Sequence, residues 1–212
     1  MKGITFGNLH SYDDLKLILT SKEIGSPAVK ERKIDIEGAD SSLDLTDFFG
    51  EAKYEDVTHK FSFSTIVPQT HFLSLFSTLK NALHGKKMRI ILDDDPHFYY
   101  LGRVKLSSFT NEKNIGMVSV ECDCEPYKYK LQPTSVSVAV NGTQAIILTN
   151  GRKRAVPEIK TTASMTIVFG GQSWTVASGT FTLPELELVA GENTINVTGT
   201  GTITFTWQEG DL

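Results

Sequence analysis

The chain has 212 residues, 40% of them hydrophobic, and a formal net charge of −4. That length and apolar content suit one large domain or two modest ones, each with its own core. With no basic excess, the charge argues against a protein that works by gripping nucleic acid or an anionic membrane surface, and two cysteines in so long a chain build no disulfide framework.

The N-terminal stretch MKGITFGNLHSYDDLKLIL has one early lysine but no apolar core of a leader, and Asp13 and Asp14 interrupt it. No signal peptide is expected. No apolar run approaches the roughly 20 residues that span a bilayer, so the chain reads as a soluble protein made in a cytoplasm.

Strands come first. LKLILTSKEIG reads as a strand ending near Gly25, and VKERKIDIEG as another with Ile34 and Ile36 on one face. In HKFSFSTIV, Phe61, Phe63 and Thr65 alternate with Lys60, Ser62, Ser64 and Ile66, the period of a half-buried strand. PQTHFLSLFSTLKNALHGKK then changes period. Phe72, Leu75, Phe76, Leu79, Ala82 and Leu83 recur at helical spacing, which predicts a helix over about 69–83, centred on Phe76. Thr70 is placed to cap its start and Gly85 its end, with Lys80, Lys86 and Lys87 near the negative end of its dipole. KKMRIILDDD and HFYYLGRVKLSSF follow as strands joined by a solvated acidic turn, Asp93-Asp94-Asp95-Pro96.

NIGMVSVECDC closes this region. Val118, Val120, Cys122 and Cys124 fall on one face, and Met117, Ser119, Glu121 and Asp123 on the other. Only Asp123 separates the cysteines and no second ligand pair follows, so neither a zinc site nor a redox pair is indicated. They read as reduced, unliganded and buried on a strand that Glu125-Pro126 terminates.

After Tyr129 the composition shifts to Thr, Val, Gly and Ser. VSVAVNG, TQAIILTNG, VPEIKTTA, SMTIVFGG, QSWTVASG, TFTLP, NTINVTGTG and TITFTWQEG read as short strands, with turns at Asn141-Gly142, Asn150-Gly151, Gly170-Gly171 and Gly199-Thr200-Gly201. Closely spaced strands without a helix predict a β-sandwich, entered past a linker at Pro133. The fold class is mainly β with one helix, in two domains, 1–130 and 131–212.

No chemistry assembles on this frame. Asp93, Asp94, Asp95 and His97 could suggest a divalent metal, but three consecutive aspartates in a tight turn point apart and no calcium loop follows. His10, His59, His71, His84 and His97 are scattered, and neither a Gly-x-Ser-x-Gly nucleophile motif nor a phosphate loop is present. Asn196-Val197-Thr198 forms a sequon of no consequence without secretion. Trp174 and Trp207 are the candidate stacking platforms of a carbohydrate-binding module, the alternative function. No catalytic, metal or cofactor-binding residue is assigned, no cofactor is expected, and the chain reads as a non-enzyme.

Four stretches taken together resemble a known family. In IDIEGADSSLDLTDFFG, Gly38 and Leu43-Asp44-Leu45-Thr46 match a strand, polar turn and Leu-Asp-Leu-Thr pattern, with Glu37 where proline is usual. YEDVTHKFSF is similar to the alternating strand that follows, with Lys60 in place of an arginine. CDCEPYKYK looks like the family's Cys/Asp-Pro-Tyr-x-Tyr junction, and AGENTINVTGTGTITFTWQEGDL resembles its C-terminal signature. The family is the distal tail proteins of long non-contractile-tailed phages.

The resemblance implies an N-terminal β-rich ring-forming domain with one helix and a peripheral C-terminal galectin-like β-sandwich. It implies a virion structural protein at the tail tip, made in the bacterial host cytoplasm. Its partners would be itself, in a homo-hexameric ring, the tail tube protein, tail-associated or tail-tip proteins, and receptor-binding or baseplate proteins. No membrane and no sequence-specific nucleic acid partner is implied.

Overall fold

The computed structural model describes every residue except Met1, Phe49, Ile66, Lys113 and Asn114. Ile66, expected on the polar side of its strand, and Asn114, expected to open the Cys122–Cys124 strand, therefore lie outside the described residues. The chain is mostly β with a single α-helix and divides into two compact units, Met1–Pro126 with Leu212, and Tyr127–Asp211.

The first unit holds β1 (Ile4–Phe6), β2 (Leu9–His10), β3 (Leu17–Glu23), β4 (Lys33–Ile34), β5 (Leu43–Asp44), β6 (Val57–Thr65), a 3-10 turn (Gln69–His71), α1 (Phe72–Leu83), β7 (Lys87–Leu92), β8 (Phe98–Glu112) and β9 (Ile115–Lys130). The main sheet runs β2-β1-β7-β8-β9-β6-β3. Period-two alternation puts Phe61 and Phe63 of β6, and Val118, Val120, Cys122 and Cys124 of β9, on one fully buried face. The sheet curls. Phe6, near one edge, meets Phe61 and Phe63, near the other, edge-to-face with ring centroids 6.3 and 6.2 Å apart.

α1 covers this core with Leu79 and Leu83, both buried, while Phe72, also buried, meets Phe109 edge-to-face at 6.1 Å. Its start differs from expectation. Pro68 opens the 3-10 turn, His71 N–H donates to its carbonyl at 2.9 Å, and the Thr70 hydroxyl sits 3.2 Å from His71 Nδ1 and caps nothing. Gly85 does follow the last turn, at φ +78°, a conformation that favours glycine; its N–H reaches Val104 O at 2.8 Å. Lys86 Nζ donates to Asn81 O at 2.8 Å, in the helix's final turn.

Phe76 is half-buried. Its ring stacks on Phe109 at 4.9 Å with the Lys80 ammonium 4.6 Å from its centroid. The centre of the buried stripe is Leu79, with no exposure.

The expected strand at Ile34 and Ile36 is not part of the main sheet. β4 and β5 are two residues each and pair only with one another, Lys33 opposite Asp44 and Ile34 opposite Leu43.

The Cys122–Cys124 strand also runs past its expected end, through Pro126 to Lys130. Proline is tolerated there because pairing with β6 ends at Val57–Cys124 and pairing with a later strand begins only at Lys128.

The second unit contains the end of β9 and β10 (Thr134–Asn150), β11 (Glu158–Thr161), β12 (Met165–Phe169), β13 (Gln172–Val176), β14 (Gly179–Thr182), β15 (Gly191–Trp207) and β16 (Gly210–Asp211). Four of the expected short strands are really two long ones. β10 and β15 pair antiparallel without interruption from Thr134–Trp207 to Asn150–Gly191.

Asn141-Gly142 and Gly199-Thr200-Gly201, expected as turns, face each other in mid-ladder, with Asn141 opposite Thr200 and Gly142 opposite Gly199. They mark a change of neighbour. One half of β15 pairs β11 on its other edge, from Thr206 to Ile203; the other half pairs β12, from Gly199 to Asn196. A side chain at Gly201 (φ +146°) would stand 2.8 Å from Thr162 Oγ1, and one at Gly199 2.9 Å from Met165 Cγ. The glycines let the 162–165 corner pass against the strand. Ile203 and Phe205 from one half and Ile195 and Val197 from the other then share one core with Ile159, Ile167, Leu186 and Trp207. Gly170-Gly171, at φ +57° and +80°, is a tight hairpin turn as expected.

The segment after Pro126 is tied to this unit. Gly210 pairs with Tyr129, Lys130 Nζ lies 2.7 Å from the Glu209 carboxylate, and Lys153 Nζ donates to Tyr129 Oη at 2.9 Å.

Two outcomes are expected. Leu79→Ala costs about 2–5 kcal/mol and Phe76→Ala about 1–2 kcal/mol, read by chemical denaturation, because only Leu79 is wholly enclosed. A fragment starting at Tyr127 folds with a higher melting temperature than one starting at Thr134, which lacks Tyr129 and Lys130; equal temperatures would show that these contacts add nothing.

Candidate assembly surfaces

The side chains with chemical potential are spent on the fold. Cys122 and Cys124 are free, with no exposure. Burial and the neighbouring acids push the Cys124 thiol up to about 12, and burial pushes Cys122 further in the same direction. Neither is a nucleophile at neutral pH.

The acidic turn is more than solvated. Asp93 accepts from Gly3 N–H at 2.7 Å and lies 3.2 Å from His10 Nε2. Asp94 forms ion pairs with Lys2, at 2.6 Å, and with Lys22. Together they stitch the β7–β8 turn to the start of β1 and to β3, holding the sheet in its curl. His97 adjoins this turn and is exposed.

His59 is buried. Its Nδ1 accepts from Gly25 N–H at 3.2 Å, its ring meets Tyr100 edge-on at 4.4 Å, and burial lowers its pKa. His71 and His84 flank α1 on exposed backbone. Among the described residues no group of three or more His, Cys, Asp or Glu is arranged to hold a metal ion, and no helix is long and apolar enough to cross a membrane.

The two tryptophans do not form a platform. Trp207 is 3% exposed in the second core, and Trp174, on β13, is half-buried against it. In the sequon, Val197 is buried and the Thr198 hydroxyl pairs with Thr143 at 2.9 Å.

What remains is surface. On the first sheet's outer side, a shallow groove is lined by Ser21, Ser62, Ser107 and Ser119 between Glu23, Lys60 and Glu121. These small side chains leave this part of the sheet's outer side low and polar.

The larger feature is an arm. From Ile18 to Asp56 no described residue is buried. Gly25 pins its base, since a side chain there would stand 2.8 Å from Thr58 O. Beyond, the chain runs out and back as a narrow ribbon. Val29 bridges Tyr54, Lys30 N–H donates to Lys53 O at 2.7 Å, and Leu45 N–H donates to Arg32 O at 2.8 Å. Ile34, Ile36, Leu43 and Phe48 are 47%, 51%, 48% and 71% exposed. A two-stranded ribbon with its apolar side in water is at best marginally stable alone.

The arm was hidden in the sequence because Ile34 and Ile36 alternate as they would in a buried strand. The signal that marks it is charge. Residues 34–52 contain Asp35, Glu37, Asp40, Asp44, Asp47 and Glu51 and no Lys or Arg.

No protein-family model and no curated protein matches the sequence. The fold does have a counterpart among solved structures. It is similar to the crystal structure of the SPP1 Dit (gp 19.1) protein, described as a paradigm of hub adsorption apparatus in phages infecting Gram-positive hosts, with a TM-score of 0.74 and 14% identity over 100% of both chains.

A thiol reagent is expected to label neither cysteine in the native protein and both after denaturation. Fast native labelling would place the β9 thiols at an accessible surface. Over its whole length, then, from the curled sheet with one helix to the folded all-β unit, this chain carries the fold of the SPP1 Dit protein.

Proposed function

We propose that this chain is a distal tail protein of a phage or prophage, a non-enzymatic virion component that assembles as a homo-hexameric ring at the tail tip. The ring joins the tail tube protein on one side to tail-associated, receptor-binding or other baseplate proteins on the other. The observation that carries this reading is the full-length likeness to SPP1 Dit, which spans both units in the same chain order. The stretches at residues 34–50, 54–63, 122–130 and 190–212, which resemble motifs of that family, support it as well.

In this reading the first domain, residues 1–130, builds the ring, and the galectin-like sandwich, residues 131–212, decorates its outside and docks other baseplate proteins. Ring closure suits a chain with unlike surfaces on opposite sides of one sheet, since heterologous contacts close when the rotation permits.

Electron microscopy of the purified full-length chain and of residues 1–126 tests the assignment. Rings with a central channel are expected from both. Rings that require the second unit would overturn the division of labour. A strict monomer that binds cell-wall glycan would favour a carbohydrate-binding module instead.

A further inference from the structure

We propose that His59 is a proton-operated clasp at the base of the arm. Neutral, it holds the segment leaving β3 against β6; protonated, it lets that segment go. The clasp lies wholly within the first unit and does not depend on the hub reading.

The clasp bridges a gap between two ladders. β3 and β6 stay paired as far as Glu23–Lys60. The arm's own pairing starts farther out, where Glu55 N–H donates to Ala28 O at 2.8 Å. Among the described residues, one hydrogen bond spans the interval between them, from Gly25 N–H to His59 Nδ1 at 3.2 Å. It ties the chain where it leaves to the strand by which it returns, since β6 starts at Val57. Gly25 makes the approach possible, because a side chain there would meet Thr58 O and Val57 Cγ2, each at 2.8 Å.

This bond requires a neutral ring. An imidazole nitrogen that accepts a hydrogen bond carries no proton, so the ring's single proton sits on Nε2. Nε2 is buried and has no partner. A second proton can bind only at Nδ1, where it would face the Gly25 N–H, donor against donor.

Nothing in the pocket offsets the charge. From β9, His59 faces the thiols of Cys122, its cross-strand partner, and of Cys124, both held neutral by their raised pKa values. From β8 it meets the Tyr100 ring edge-on at 4.4 Å. The charged groups of the neighbouring strands lie on the outer face: Lys60 beside Glu23 and opposite Glu121, and Asp123 with Thr58 and Lys105. Asp56, at the arm's return, is exposed. Among the described residues no carboxylate lies within ion-pair distance of His59.

Burial therefore lowers the ring's pKa below its ordinary value of about 6.5. The folded chain takes up this proton less readily than the unfolded one. The clasp is whole above about pH 6.5 and fails as pH falls through the lowered value. The imidazolium then turns to water and releases Gly25.

Hydrogen exchange at the Gly25 amide of the full-length chain, corrected for the intrinsic effect of pH on exchange, tests this. From about pH 7.5 to about pH 5, protection is expected to fall about ten-fold or more. The amides of Phe61 and Phe63, in the middle of β6, stay protected. His59→Asn sets a carbonyl oxygen near the place of Nδ1 and cannot take up the proton, so Gly25 stays protected at both ends of the range. His59→Phe keeps a ring but no acceptor, so Gly25 is unprotected throughout. Protection at Gly25 that does not change with pH in the unmodified chain overturns the clasp, and that measurement needs no variant to fold. A His59→Asn chain in which it falls as steeply as in the unmodified chain overturns it too, because another group is then titrating. So does loss of protection along all of β6, which is general acid unfolding.

Discussion

The governing constraint is a shortage of cover. A sheet has two faces and needs at least one buried. The first unit supplies one helix of 12 residues, about 18 Å long, for a main sheet of seven strands in sequence that would be roughly 30 Å across if flat. One such helix cannot shield that width, so the sheet shields itself by curling until Phe6 meets Phe61 and Phe63. Asp93 and Asp94 fasten the curl from outside, through Gly3, His10, Lys2 and Lys22. The second unit has no helix, and there the sheet doubles over at the facing glycines of β10 and β15 so that its own halves enclose the core.

That economy explains what was legible in the sequence. Wherever a residue's fate depends on near neighbours, the pattern was readable. The 3.6-residue period of Phe72 to Leu83 and the alternation from Val118 to Cys124 both translate directly into burial. Residues whose meaning depends on a distant partner were misread. Asn141-Gly142 is a turn by local chemistry, but the strand opposite it, 191–207, makes it a bend in a ladder. Pro126 looks like a stop until the gap between two successive pairing partners is known. Thr70 is well placed to cap a helix, but the rigid ring of Pro68 starts a 3-10 turn first.

The candidate surfaces follow the same division. The absence of a motif at Cys122 and Cys124 was readable, and their depth in the core gives the physical reason for their inertness. The arm was not readable as an arm, because alternation records which side of a strand is apolar and says nothing about which molecule covers it. Only the charge of residues 34–52 sets that segment apart from a core strand. A fold preserved at 14% identity is consistent with this logic: burial pattern, strand length and a few glycine bends specify the architecture, and many side chains satisfy them.

The β10–β15 ladder has a consequence for how the second unit comes into being. Its nearest rung, Asn150–Gly191, already encloses residues 151–190, and its farthest, Thr134–Trp207, encloses nearly the whole unit. No hairpin turn nucleates it. β12 and β13 can close locally as a hairpin, but β11 and β12 cannot dock into the sheet before β15, against which both lie. On the ribosome, β10 must therefore wait unpaired until 191–207 emerge, since β15 is the strand it pairs with. Contacts so distant in sequence make for slow folding. During the wait β10 shows its neighbours a stretch of 17 residues without a single charge to keep other chains away. β10 thus stays without its partner until nearly the whole unit has been made.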